Sequence, residues 1–158
     1  MPHLSAEDLA NRFLSSIERG DLASAMDCIT PDAVLWHNGT RKSVSRDENL
    51  EVLRGFVARS VTREYHDRRV QEFPGGFILQ HNLVATAADG YVLEASACLV
   101  CRTTNGRITW LEEYFDWSDL PEWFARTQPQ LEAAGLAWPS AWSSDAESRP
   151  TGGEIRSN

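Results

Sequence analysis

The sequence lacks the features that mark several large classes of protein. Its 158 residues carry a formal net charge of −8, with a pI near 4.9, which argues against nucleic acid or an anionic membrane as the main partner. No apolar run is long enough to span a bilayer. The opening residues 1–13 have neither the basic start nor the apolar stretch of a signal peptide. We therefore expect a cytoplasmic protein that binds neither nucleic acid nor membrane.

Cysteine is scarce, and this argues against a disulfide framework. The chain has three cysteines, Cys28, Cys98 and Cys101, and an odd number leaves at least one unpaired. Cys98 and Cys101 have a C-x-x-C spacing, but on a strand this spacing points the two sulfurs to opposite faces. The sequence also has no glycine-rich phosphate loop and no closely spaced set of metal ligands. We expect neither a cofactor nor a metal.

The start of the chain has the pattern of two antiparallel helices. Ser5 resembles an N-cap, and Gly20 is a natural end for the first helix. A shorter helix is predicted from Asp21 to a turn at residues 30–32. Between Ser5 and Gly20 the apolar residues recur at four-residue spacing, as in an amphipathic helix: Leu9, Phe13 and Ile17.

A strand and a third helix follow. Residues 33–38 predict a short strand, and residues 39–44 predict a polar turn. Ser45 and Glu48 have the spacing of a capping box. They predict the start of a helix that lies on a sheet.

The next half of the chain predicts a β-meander. Strands are expected at residues 61–73, 77–87, 91–103 and 107–117. Asp89-Gly90 and Asn105-Gly106 are favoured hairpin turns and separate the last three strands. The predicted fold class is therefore α+β, with a curved, cone-shaped antiparallel sheet wrapped over the N-terminal helices.

The C-terminal part divides into an aromatic segment and a polar tail. We predict a helical turn at residues 121–127, and late aromatics that cover a cavity mouth or a dimer face: Trp123, Phe124, Trp138 and Trp142. Residues 1–142 are expected to form one domain. The tail at residues 143–158 is polar, contains glycine and proline, and is predicted to be disordered.

The last predicted strand carries the leading candidate for catalysis. Its sequence RITWLEEYFDW holds two adjacent carboxylates, and alternation places Glu113 on the same face as Leu111 and Phe115. Trp110, Glu112, Tyr114 and Asp116 share the other face. Burial among apolar side chains raises the pKa of a carboxyl group unless the group is paired, so Glu113 is predicted to act in proton transfer.

The hairpin turns predict which residues lie beside Glu113. If both turns have two residues, Cys98 lies opposite Glu113 and His81 lies opposite Cys98, so that an acid and an imidazole bracket an apolar floor. A three-residue loop or a bulge would instead place Gln80 and Asn82 on this face. Glu113 and His81 can equally form a structural pair without catalysis.

The chain resembles the nuclear-transport-factor-like superfamily over residues 9–120. The resemblance rests on the short strand with Trp36-His37-Asn38 and above all on the final strand, GRITWLEEYFD. It is similar to SnoaL-like polyketide cyclases, limonene epoxide hydrolases and ketosteroid isomerases, which implies a cystatin-like α+β barrel with an apolar pocket. The resemblance implies that Glu113 replaces an acid/base aspartate and that His37 or Asn38 orients water.

Two departures from these relatives limit the expected chemistry. Residues 80–82 read Gln-His-Asn where the epoxide hydrolases carry an Arg-x-Asp pair, so hydrolysis by their mechanism is not expected. The sequence also has no clear match to the tyrosine and aspartate pair with which ketosteroid isomerases hold an enolate.

Together these features predict a cofactor-independent acid/base enzyme for a small, largely apolar or polycyclic molecule. Glu113 would be the base, with His81 and His37 as donors or orienting groups, in a cyclisation, isomerisation or hydration. The alternative is a module of the same fold that binds a hydrophobic ligand or dimerises without chemistry. A homodimer is expected because Trp110 and Tyr114 lie on the outer face. The predicted substrate-binding residues are Trp36, Asn38, Gln80, Asn82, Cys98, Leu111 and Phe115.

Overall fold

The computed structural model describes residues 4–142, which form four α-helices, six strands and a short 3₁₀ helix. The helices are α1 (Ala6–Glu18), α2 (Leu22–Asp27), α3 (Arg46–Arg59) and α4 (Leu120–Ala133), and the 3₁₀ helix is Ser140–Trp142. The strands are β1 (Ile29–His37), β2 (Lys42–Ser45), β3 (Thr62–Phe73), β4 (Gly76–Thr86), β5 (Val92–Thr104) and β6 (Arg107–Phe115).

The six strands form one curved sheet that does not close, in the order β2-β1-β6-β5-β4-β3. β3 to β6 form the predicted antiparallel meander, whereas β1 pairs with β6 in parallel. The helices pack on the inner face, with α1 against β3 and α3 against β1. The fold class is α+β, as predicted.

Helix capping confirms the sequence signals at the helix starts. The Ser5 hydroxyl accepts from the backbone N–H of Asp8 at 3.0 Å and opens α1. Ser45 and Glu48 form the predicted capping box of α3, in which each side chain accepts from the other residue's backbone N–H, at 3.1 and 2.7 Å. Each cap satisfies donors that a helix N-terminus leaves unpaired.

The predicted β5–β6 register is wrong because β6 contains a bulge. Asn105 and Gly106, with φ of 52° and 73°, form the predicted turn, and Thr104 pairs with Arg107. The pairing then shifts by one residue. As a result Leu99, and not Cys98, lies opposite Glu113.

The predicted β4–β5 register is also wrong, because the loop between these strands is longer than two residues. The Ala87 N–H donates to the Tyr91 carbonyl at 2.8 Å, which leaves residues 88–90 as a three-residue loop. His81 therefore pairs with Ala97, and Ala97 pairs with Phe115. The two one-residue shifts compensate: His81 stays on the Glu113 face, while Cys98 moves to the opposite face.

Several element boundaries also differ from the sequence pattern. α2 ends at Asp27, and β1 begins at Ile29, so that residues 30–32 belong to a strand and not to a turn. Pro31 is accommodated because the β1–β6 register is irregular between Ile29 and Val34. The predicted polar turn contains the short strand β2, and α4 extends beyond the predicted helical turn despite Pro129.

Two further predictions concern domain extent and membranes. The tail at residues 143–158 lies outside the described residues, and the single domain over residues 1–142 stays a prediction. None of the helices between residues 4 and 142 is long and apolar enough to cross a membrane.

Candidate functional site

A cavity lies between the inner face of the sheet and helices α1, α3 and α4. Its volume is about 140 Å³. This is close to the roughly 150 Å³ of an apolar cavity that binds benzene. The lining is mostly aliphatic and aromatic. The polar residues among the described lining are His37, Asn49, Arg59, Tyr65, His81 and Glu113.

Glu113 forms a pair with His37 inside this cavity. The parallel β1–β6 pairing places the two residues side by side, and His37 Nδ1 lies 3.3 Å from Glu113 Oε2. His37 Nε2 is buried and has no hydrogen-bond partner among the described residues. Nδ1 faces the Glu113 carboxylate, so its N–H donates to Oε2.

The environment of Glu113 lowers the pKa of its carboxyl group. Burial acts to raise this pKa, but the hydrogen bond and charge of His37 and the charge of His81 outweigh it. The predicted rise in pKa is therefore wrong, because the sequence did not reveal the parallel pairing that supplies His37. About 30% of the Glu113 side chain is exposed, so a carboxylate that is ionised at neutral pH is accessible within the cavity lining.

His81 and Tyr65 form a second polar group on the cavity wall. Their rings meet edge to face, with centroids 5.0 Å apart. Burial lowers the pKa of His81 and outweighs the opposing effect of the Glu113 charge, so the imidazole is neutral at neutral pH. Nδ1 of His81 is buried and has no hydrogen-bond partner within residues 4–142.

Tyr65 is a candidate residue that the sequence analysis missed. Burial, with the charge of Glu113 as the second cause, raises the pKa of its phenol. The phenol therefore stays protonated and remains a hydrogen-bond donor. The alternating pattern of β3 could have indicated that Tyr65 points inward, but the surrounding charged residues concealed it.

Arg59 is the second missed residue. It is 3% exposed and lines the cavity from the end of α3. Its position follows the cavity-lining residues Val52 and Phe56 at helical spacing. A charged residue on the inward-facing stripe of a helix was the signal in the sequence.

Asn38 does not line the cavity, but its hydrogen bonds hold Phe115 and Trp117, which do. Its Oδ1 accepts from the backbone N–H of Phe115 at 3.1 Å and from the indole of Trp117 at 2.9 Å. Its Nδ2 donates to the Phe115 carbonyl at 3.1 Å. The neighbouring Gly39 has no room for a Cβ, which would overlap the Trp117 ring. Asn38 is thus placed as a structural residue, in contrast to its predicted role in substrate binding.

Four other predicted substrate-binding residues lie on the outer face of the sheet. Because directly paired residues share a face, the pairings Gln80–Cys98, Cys98–Tyr114 and Trp36–Glu112 place these side chains away from the cavity. Asn82 hydrogen-bonds there to Asp67 and Ser96, at 2.9 Å in each case. Trp36, Gln80, Asn82 and Cys98 therefore do not line this cavity, whereas Leu111 and Phe115 do. The substrate-binding role of these residues stays a prediction. The homodimer contact expected on the outer face stays a prediction.

The late aromatic residues cluster around one end of the cavity. Trp123, Phe124 and Trp142 line it, together with Trp117. Trp138 packs edge to face against Phe124 and Trp142, with centroids 4.9 and 5.3 Å apart. The aromatic cluster therefore forms part of the cavity wall. This agrees with the expectation that these residues cover a cavity, while a role at a dimer face stays a prediction.

Solved structures identify the architecture. An NTF2-like protein of unknown function from Burkholderia pseudomallei matches with a TM-score of 0.62 and 18% identity, over 77% of this chain and 96% of that one. The chain has the NTF2-like fold. A proposed SnoaL-like polyketide cyclase from Shewanella putrefaciens matches at 0.65 and 10% identity, over 79% and 87% of the two chains. An LEH-like epoxide hydrolase from M. tuberculosis matches at 0.61 and 18% identity, over 82% and 96%.

These matches define the fold and nothing finer. No protein-family model matches the chain, and no curated protein matches it by sequence. At 10–18% identity, the NTF2-like neighbours confirm the cone-shaped α+β fold and the structural resemblance stated above. The chemistry must be argued from this chain's own residues.

Proposed function

We propose that this protein is a cofactor-independent enzyme that moves a proton on a small, largely apolar molecule held in the cavity. Glu113 is the general base. The reaction class is a cyclisation, isomerisation or hydration, each of which begins when a base removes a proton from carbon or from water. The observation that carries the proposal is an ionised, accessible carboxylate among apolar side chains, held by His37 at 3.3 Å.

The pairing with His37 supports a base and not an acid. Because the pKa of Glu113 is lowered, the carboxylate is deprotonated at neutral pH and can accept a proton at once. His37 is a positioning residue, since its Nε2 is enclosed and its Nδ1 faces Glu113. The apolar surroundings limit hydration of the carboxylate and so favour proton transfer.

Tyr65 and His81 are placed to stabilise the charge that proton removal leaves on the substrate. A proton removed from carbon leaves negative charge on the substrate, and this charge is stabilised by a preorganised donor. The Tyr65 phenol is protonated because its pKa is raised, and the neutral His81 ring lies against it. We assign Tyr65 as the main donor and His81 as a second donor or orienting group.

The size of the cavity narrows the class of substrate. A volume of about 140 Å³ suits a molecule with one or two small rings, since a cavity of similar size binds benzene. We therefore propose a smaller substrate than the polycyclic molecules that the sequence analysis included.

The proposal can be tested with 5-nitrobenzisoxazole, whose ring opening needs only a base. The base removes the proton from C3, the N–O bond breaks, and a coloured cyanophenolate forms while the base later returns its proton to water. We expect Glu113→Gln to lower kcat/KM for this reaction by roughly 100-fold or more. The matched control is Glu112→Gln, which changes the adjacent carboxylate on the outer face and should leave the rate unchanged.

A ligand-binding module without chemistry is the alternative outcome. Binding of benzamide, a neutral ring that does not react, should be retained in Glu113→Gln and can be followed by the fluorescence of the tryptophans around the cavity. A wild-type rate in Glu113→Gln, with benzamide still bound, removes Glu113 from the mechanism and leaves ligand binding as the function.

A further inference from the structure

Arg59 places a positive charge in a cavity that is otherwise mostly apolar. It is the last residue of α3 and is 3% exposed. Among the described lining residues, the acidic side chain is that of Glu113, which pairs with His37 and forms no ion pair with Arg59. The guanidinium therefore has no counter-charge inside the described part of the chain.

The partners of Arg59 are neutral and use part of its donor capacity. Nη1 donates to the Thr127 hydroxyl at 3.0 Å and to the Phe124 carbonyl at 3.3 Å, and Nη2 donates to Gln128 Oε1 at 3.3 Å. The rings of Phe124 and Trp138 lie 5.1 and 5.7 Å from the guanidinium carbon. Nε has no acceptor among the described residues.

Other arginines of the chain are satisfied in ways that Arg59 is not. Arg68 forms an ion pair with Glu18 at 2.9 Å. Arg63 has no acidic partner, but each of its nitrogens donates to a backbone carbonyl, including Nε to Ile17 and Nη2 to Glu18. A purely structural arginine can thus be fully bonded in this fold. Arg59, which lines the cavity, retains a donor that no acceptor among the described residues uses.

We propose that Arg59 binds the carboxylate of an organic acid whose apolar body fills the cavity. This inference rests on the proposed function, in taking the cavity as the substrate site, and it specifies the substrate class. A carboxylate supplies the missing charge and matches the planar donor pattern of a guanidinium. A single carboxylate also suits the one guanidinium that the described lining offers better than a phosphate, which brings more charge and more acceptors than Arg59 can satisfy.

The experiment compares two ligands of nearly equal shape, benzoate and benzamide, by their dissociation constants at neutral pH. We expect the wild-type protein to bind benzoate more tightly by roughly tenfold, as for one charge-assisted hydrogen-bonding contact. Arg59→Met should reduce this preference to within about twofold while benzamide still binds. The matched control is Arg126→Met on α4, an exposed arginine that pairs with Asp89 and Glu122 and should leave the preference unchanged.

A measurement on the wild-type protein keeps the test decisive if Arg59→Met does not fold. The ¹⁵N resonance of Arg59 Nε should move on addition of benzoate and not of benzamide. Equal wild-type affinities, an unmoved Nε resonance, or a preference that persists in a folded Arg59→Met protein would each overturn the proposal and leave Arg59 as a link between α3 and α4. These outcomes are independent of turnover, so they are distinguishable from a failure of Glu113 as the base.

Discussion

Glu112 and Glu113 are adjacent on β6, yet the sheet gives them opposite environments. Glu113 faces the cavity and pairs with His37 at 3.3 Å. Glu112 faces outward, where it accepts from the Tyr114 hydroxyl at 2.8 Å and from the Trp110 indole at 3.3 Å. Both carboxylates have partners, and those of Glu112 include two neutral side chains on its own strand. The comparison teaches that neighbours across the sheet decide which carboxylate can do chemistry.

The same contrast continues on the neighbouring strand. Leu99 lies opposite Glu113 and is 3% exposed, while Val100 lies opposite Glu112 and is half-buried. Leu99 and Glu113 therefore form part of the cavity wall, whereas Val100 and Glu112 lie on the outer face of the sheet. This difference can be measured position by position.

The largest expected effect is on stability. Leu99→Ala should lower the free energy of unfolding by about 2–5 kcal/mol, because it removes buried methyl groups from the inner wall. Val100→Ala on the outer face should cost about 1 kcal/mol. Urea denaturation of the two variants measures both values, and equal losses would contradict the division into inner and outer faces.

A smaller effect is expected for the tyrosines of the two faces. Tyr65→Phe should lower the rate of 5-nitrobenzisoxazole opening by roughly tenfold, because the phenolate that forms loses a hydrogen-bond donor. Tyr114→Phe, which removes a hydroxyl from the outer face, should leave the rate unchanged. Comparable rate losses in both variants would show that the effect does not come from the cavity.

The smallest effect concerns the pH dependence that His37 imposes. The acid limb of the wild-type pH–rate profile should have its midpoint below pH 4.5, since the pKa of Glu113 is lowered below its ordinary value of 4.5. His37→Asn removes the main lowering influence and leaves burial, which raises this pKa. The acid limb of the pH–rate profile should therefore move above pH 4.5 in the variant. An unchanged profile would mean that His37 does not set the ionisation of Glu113.

Local patterns in the sequence were enough to predict the α+β fold and the inward orientation of Glu113. Strand alternation is a local property, and hairpin turns such as Asn105-Gly106 and helix caps such as Ser45 act within a few residues. These features made the meander and the helix starts predictable. The placement of His81 on the inner face was correct for a different reason, because two register errors compensated.

The remaining features of the site depend on contacts that are distant in sequence. The bulge in β6 reverses the face assigned to Cys98, and no turn residue signals it. The parallel pairing of β1 with β6 brings His37 to Glu113, although the two residues are 76 positions apart in the sequence, and this pairing reverses the predicted shift in pKa. Arg59 required knowledge of which side of α3 faces the cavity. Each of these is a tertiary effect that periodicity does not encode.

The most direct test is a ¹³C NMR titration of the Glu113 carboxyl group in the wild-type protein, with Glu112 as the internal comparison and the two Glu→Gln variants for assignment. The account predicts that Glu113 titrates below its ordinary pKa of 4.5 and is fully ionised at neutral pH. A Glu113 carboxyl that titrates above 4.5, or that remains protonated near neutral pH, would contradict the claim that His37 holds it as a ready base.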